Sequence, residues 1–124
     1  MYSFSRLTGT KNKNENIVNM ALSIMEEEFN DPSLSLASVA DMLGYNAKYL
    51  SHSFKEKIGV GFSQYLRTIR IKHAVFLMEH GVDSVKNIAF LCGFTDPLYF
   101  SSVFKEALGI SPKEYMQQTK NTDE

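Results

Sequence analysis

The stretch FSQYLRTIRIKHAVFLMEH, Phe62 to His80, reads as a single long helix. Phe62, Tyr65, Leu66, Ile69, Val75 and Met78 keep mostly to three- and four-residue spacing, which lines them along one face. At 1.5 Å per residue the helix spans roughly 28 Å. Gly59 and Gly61 release it and Gly81 ends it. A copy of one short helical unit lies on each side, so this helix is a spacer whose length decides what the pair can touch.

Before the spacer, Met1 to Asn16 is polar and without a clear period, and is expected to be a flexible leader. A first helix is predicted over Ile17 to Phe29, with Ile17, Met20, Ala21, Ile24 and Met25 inward. Glu26, Glu27 and Glu28 near its end form a solvated acidic face that opposes the helix dipole and would repel phosphate. Asn30-Asp31-Pro32-Ser33 breaks the helix. Ser35 then caps Leu36 to Leu43, Gly44 ends it, and Asn46 caps a helix from Ala47 to Lys57.

After Gly81 the pattern returns. Ser84 caps Val85 to Cys92, Gly93 makes the turn, and Thr95 is expected to cap a helix from Asp96 to Leu108, with Pro97 in its first turn. Ser111-Pro112-Lys113-Glu114 reads as a capping box that opens a last short helix, and the chain is expected to fray from Gln117.

The two halves are a repeat. Ser35, Ala40, Gly44 and Tyr45 match Ser84, Ala89, Gly93 and Phe94 at an offset of 49. Leu50, Ser51, Phe54, Lys55, Glu56, Ile58, Gly59 and Tyr65 match Phe100, Ser101, Phe104, Lys105, Glu106, Leu108, Gly109 and Tyr115 at an offset of 50. One extra residue after Gly93 accounts for the difference. Helix, turn with glycine, helix is the outline of a helix-turn-helix.

The second helix of each unit has two faces. Leu50 and Phe54 point inward in the first copy, and Phe100, Val103 and Phe104 in the second. Lys48, Ser51, His52 and Lys55 then form a stripe at i, i+3, i+4 and i+7, and Leu98, Ser101, Ser102 and Lys105 repeat it. Small residues let a helix sit deep in the DNA major groove, His and Ser can address base edges, and lysine meets phosphate. Two such helices on one face of B-DNA must sit about 34 Å apart to enter successive grooves. The spacer comes near that reach.

At these residues the chain resembles the DNA-binding domain of the AraC/XylS family of bacterial transcription regulators, over about Ile17 to Gln118. The most specific part is Ile88-Ala89 through Gly93-Phe94, Tyr99-Phe100-Ser101, Phe104-Lys105, Gly109, Ser111-Pro112 and Tyr115. The resemblance implies an all-α fold of seven helices, with two helix-turn-helix subdomains joined by the long helix, and sequence-specific binding to promoter DNA. Its base-contacting positions fall on Lys48, Ser51, His52, Leu98, Ser101 and Ser102. The family often has arginine at His52, Ser102 and Met116, and losing it removes the commonest contact to guanine. Weaker or more context-dependent binding is therefore expected. Leu98 is placed to meet a thymine methyl group.

The expected layout is a leader over 1–16, a first helix-turn-helix over 17–61, a spacer over 62–80, a second helix-turn-helix over 81–118 and a tail over 119–124. Phosphate contacts are expected from Lys55, Lys105 and the helix starts at Asn46 and Thr95, where exposed N–H groups attract anions.

Charge alone does not decide the partner. Met1 to Tyr45 carries three basic and six acidic residues, whereas Asn46 to Lys120 carries ten basic against six acidic. That positive half falls short of a strongly basic footprint. Cys92 is the only cysteine, which excludes an intrachain disulfide and fits a reducing cytoplasm. It reads as a small buried apolar residue with no histidine placed to activate it. His52, His73 and His80 complete no metal-ligand spacing, and no acid–base pair or phosphate loop points to an enzyme or a cofactor. His73 reads as a surface or core-edge residue, Asp96 as a helix-start residue, and the Phe and Tyr residues at helical spacing as core.

No signal peptide or membrane span is read. The expected partner is promoter DNA, with RNA polymerase as a candidate second partner and a sensory or receiver domain upstream in a longer parent chain. The rival reading is a helical protein-interaction module that keeps the fold with little DNA affinity, favoured by near-neutral charge and the missing arginines.

Overall fold

A computed structural model describes residues 13–122. The leader expected over 1–16 lies outside the described residues up to position 12, as do Asp123 and Glu124 of the tail. Seven helices and no strands occur among the described residues: α1 Lys13–Glu28, α2 Leu36–Leu43, α3 Ala47–Ile58, α4 Phe62–Glu79, α5 Val85–Leu91, α6 Pro97–Leu108 and α7 Pro112–Thr122. Both ends differ from expectation. Helix α1 starts at Lys13, four residues earlier than Ile17, and α7 runs on to Thr122 instead of fraying from Gln117.

The caps explain most boundaries. Ser35 accepts from the backbone N–H of Ser38, and the Ser38 hydroxyl accepts from the N–H of Ser35 in return. Asn46 Oδ1 accepts from the N–H groups of Lys48 and Tyr49 at the start of α3. Ser84 accepts from Asn87 N–H. Ser111 and Glu114 exchange backbone donors at 3.0 and 3.2 Å, the capping box expected there. One cap is a correction: Asp96, not Thr95, caps α6. Its carboxylate accepts from Leu98 N–H at 3.0 Å and the helix begins at Pro97. Proline fits the first helical position because its absent N–H had no partner to lose.

The chain divides into two units, one comprising residues 13–28 and 33–65 of the described chain, the other residues 29–32 and 66–122. In the first, α1, α2 and α3 pack on one another. Ile17, Val18, Ala21, Met25, Leu34, Val39, Ala40, Leu50 and Phe54 are buried. Phe54 sits edge-on to Phe62 and Tyr65, each ring centroid 5.5 Å away, so the beginning of α4 belongs to this core. The inward set expected for α1 needs adjustment: Val18 is buried and Met20 is exposed. Ser53 is buried, and its hydroxyl finds no hydrogen-bond partner among the described residues.

The second unit is built on Ile71, Ala74 and Met78 of α4, Ile88, Ala89 and Cys92 around α5, and Phe94, Phe100, Val103 and Phe104. A run of aromatic contacts passes from Phe94 to Phe100, Phe104 and Tyr115. The Tyr115 hydroxyl donates to Glu79 Oε2 at 3.0 Å. Ile71 and Ala74 lie off the single stripe read from the sequence, because this half of α4 serves the second core.

The turn at Phe29–Pro32 also belongs to this unit. Arg70 donates from Nε to the Phe29 carbonyl and from its terminal nitrogen to the Asp31 carbonyl, both at 2.9 Å. Its guanidinium also lies 5.9 Å from the Phe94 ring centroid. His73 stacks on Phe29 with ring centroids 3.7 Å apart, a core-edge position. Gly93, at φ +93, backs onto this junction, where a Cβ would collide with the Phe29 carbonyl oxygen and press on Arg70 Nε. The expectation that aromatic residues at helical spacing are core fails at Phe76, Phe90 and Tyr99, which are at least half exposed.

Candidate nucleic-acid interface

Helix α3 presents one face to its core and the other to solvent. Leu50, Ser53 and Phe54 are buried, while Lys48, Ser51, His52 and Lys55 are exposed. These four line a single open dish on the surface together with Glu56. Glu56 was not foreseen as part of this face. It lies one turn beyond His52, with its Oε1 3.7 Å from His52 Nε2. The signal was present in the sequence, because Lys48, His52 and Glu56 continue the four-residue spacing.

Helix α6 repeats the division in the second unit. Phe100, Val103 and Phe104 are buried; Leu98, Ser102 and Lys105 are exposed, and Ser101 is half-buried. Leu98 is 81% exposed, so its side chain is open to solvent in the first turn of the helix.

The two helix starts differ from each other. Asn46 is the residue that caps α3, and its side chain already accepts from two of the first backbone donors. Thr95 is exposed and stands one residue before the cap of α6. There the Asp96 carboxylate adds a negative charge at the point where an anion would approach. Among the described residues no three His, Cys, Asp or Glu side chains gather as a metal-binding group, and no helix is long and apolar enough to cross a membrane.

Two exposed stripes, each on the second helix of a helix-turn-helix, define the class of this chain: a helix-turn-helix domain. Residues 39–118 match the family model described as a helix-turn-helix domain. The chain is 39% identical over 105 residues to the uncharacterized transcriptional regulatory protein YesN of Bacillus subtilis, covering 82% of this chain and 28% of that protein. The C-terminal domain of AraT, a response regulator from Geobacillus stearothermophilus, matches with a TM-score of 0.80 and 33% identity over 82% of this chain and 84% of that one. A transcriptional regulator of the AraC-type DNA-binding domain-containing proteins from Chromobacterium violaceum matches with a TM-score of 0.76 and 28% identity over 85% and 93% of the two chains. The chain belongs to the AraC/XylS family of transcription regulators. It spans 28% of the length of the Bacillus relative.

Proposed function

We propose that this domain binds double-stranded promoter DNA sequence-specifically, with α3 and α6 entering successive major grooves. The observation that carries the reading is the shared register of the two exposed stripes, each opposite a buried face of its own helix. Lys48, Ser51 and His52 on α3, and Leu98, Ser101 and Ser102 on α6, address base edges. Lys55 and Lys105 meet phosphate, joined by Asn46 at the start of α3, while a phosphate contact from Thr95 at the start of α6 would have to form against the charge of the Asp96 carboxylate. The exposed Leu98 offers apolar surface suited to the C5-methyl group of thymine.

Membership of a family of transcription regulators supports a role in promoter control in the cytoplasm rather than an enzymatic one. The response-regulator description of the Geobacillus neighbour supports a receiver domain upstream in the parent chain. RNA polymerase is the natural second partner for a domain seated on a promoter. Binding to labelled duplexes at two salt concentrations tests the reading. Affinity should fall steeply with salt, since counterions released from phosphate drive association. Ser51→Ala or His52→Ala should cost about 1 kcal/mol on the cognate site and little on random DNA. Equal losses on both would show that these residues do not read sequence, and absence of any complex would return the domain to a protein-interaction role.

A further inference from the structure

Glu56 faces the same open dish as Lys48, Ser51, His52 and Lys55. Its separation of 3.7 Å from His52 Nε2 is too long for a hydrogen bond, and both side chains are largely exposed. A pair of this kind contributes little to holding the helix together. In a DNA complex the carboxylate also works against affinity, because every nearby phosphate repels it. It becomes favourable only where the groove offers a donor. The donors on major-groove edges are the exocyclic amines of cytosine and adenine, and the usual partner of a carboxylate is cytosine N4; guanine and thymine present acceptors. Histidine N–H and carboxylate, one helical turn apart, thus set a donor beside an acceptor.

We propose that Glu56 is a specificity-determining residue of this interface, selecting cytosine at one position of the site while His52 takes the acceptor edge of a neighbouring guanine. The inference rests on the DNA-binding reading above. Site selection from a random duplex pool, run in parallel with the wild-type domain, Glu56→Gln and Glu56→Ala, tests it. The wild type should fix cytosine at one position. Glu56→Gln should move that position toward adenine, which a glutamine amide engages through two hydrogen bonds. Glu56→Ala should leave the position undetermined, with discrimination falling about tenfold. Both variants should bind random DNA more tightly, having lost a charge that repels phosphate. The same motif from all three proteins would overturn the proposal while leaving sequence-specific binding intact. No motif from the wild type would overturn both.

Discussion

Arg70 Nε donates to the carbonyl oxygen of Phe29 at 2.9 Å, joining residues forty-one positions apart in sequence. The same guanidinium reaches the Asp31 carbonyl. Both acceptors lie in the Phe29–Pro32 turn, which belongs to the same unit as Arg70. Burial pulls the guanidinium below its ordinary value, opposed by the charge of Asp31. Arg70→Ala should destabilise the domain by about 1.5–3 kcal/mol in urea unfolding, the range for hydrogen bonds made by a charged group. Arg70→Lys should recover only part of the loss, because a point charge cannot replace a planar fork that reaches two carbonyls.

Gly93 shares this junction, so its substitution should be felt through the same contacts. Gly93→Ala places a methyl group against the Phe29 carbonyl oxygen and holds a side chain at φ +93. A loss of more than about 1 kcal/mol is expected. Gly59→Ala provides the control: it carries a similar φ of +97 but meets nothing within 4 Å. A difference between the two melting curves isolates the clash from the backbone strain.

Cys92 is buried, and its thiol is pushed up to about 11 by burial, with Arg70 pulling the other way. The nucleophilic thiolate should therefore be scarce at neutral pH. A thiol reagent applied at pH 8 should modify the folded protein slowly and the urea-unfolded protein at the rate of a free cysteine. Equal rates would mean that the site opens readily.

Glu114 accepts from the backbone N–H of Ser111, and this bond, followed by its contact with the Ser111 side chain, holds its carboxyl below the ordinary value of 4.5. Its contribution is therefore complete above that value and lost as the pH falls through the lower folded one. Glu114→Gln should be less stable than wild type at neutral pH, and the gap should close on acidification. Chemical unfolding across a series from about pH 6 to 3 measures it.

The residues that could be read from the sequence are those whose chemistry is local. Ser35, Ser84, Asn46 and the Ser111–Glu114 box announce helix starts through donors only a few residues away. The buried faces of α3 and α6 followed from spacing for the same reason. Thr95 and Asp96 are both good caps, and the choice fell to Asp96 because Pro97 occupies the first helical position. The early start of α1 was hidden because Lys13 to Asn16 carries no apolar residue to mark a period.

Arg70 was invisible for a different reason. Within the spacer it looks like one more surface cation, and only tertiary structure brings the Phe29 carbonyl to it. Phe76 and Phe90 follow the helical period yet stay exposed, since period alone does not say which face has a neighbour. Glu56 continues a visible four-residue spacing, but a carboxylate among lysines does not suggest DNA until its place in the dish is seen.

Hydroxyl-radical footprinting on a selected site measures most directly whether both stripes read one duplex. Two protected segments on one face of the DNA, centred about 10 base pairs apart, are the predicted result, with Ser101→Ala and Ser102→Ala weakening only one of them. A single short protected segment, unchanged by substitutions in α6, would contradict the account.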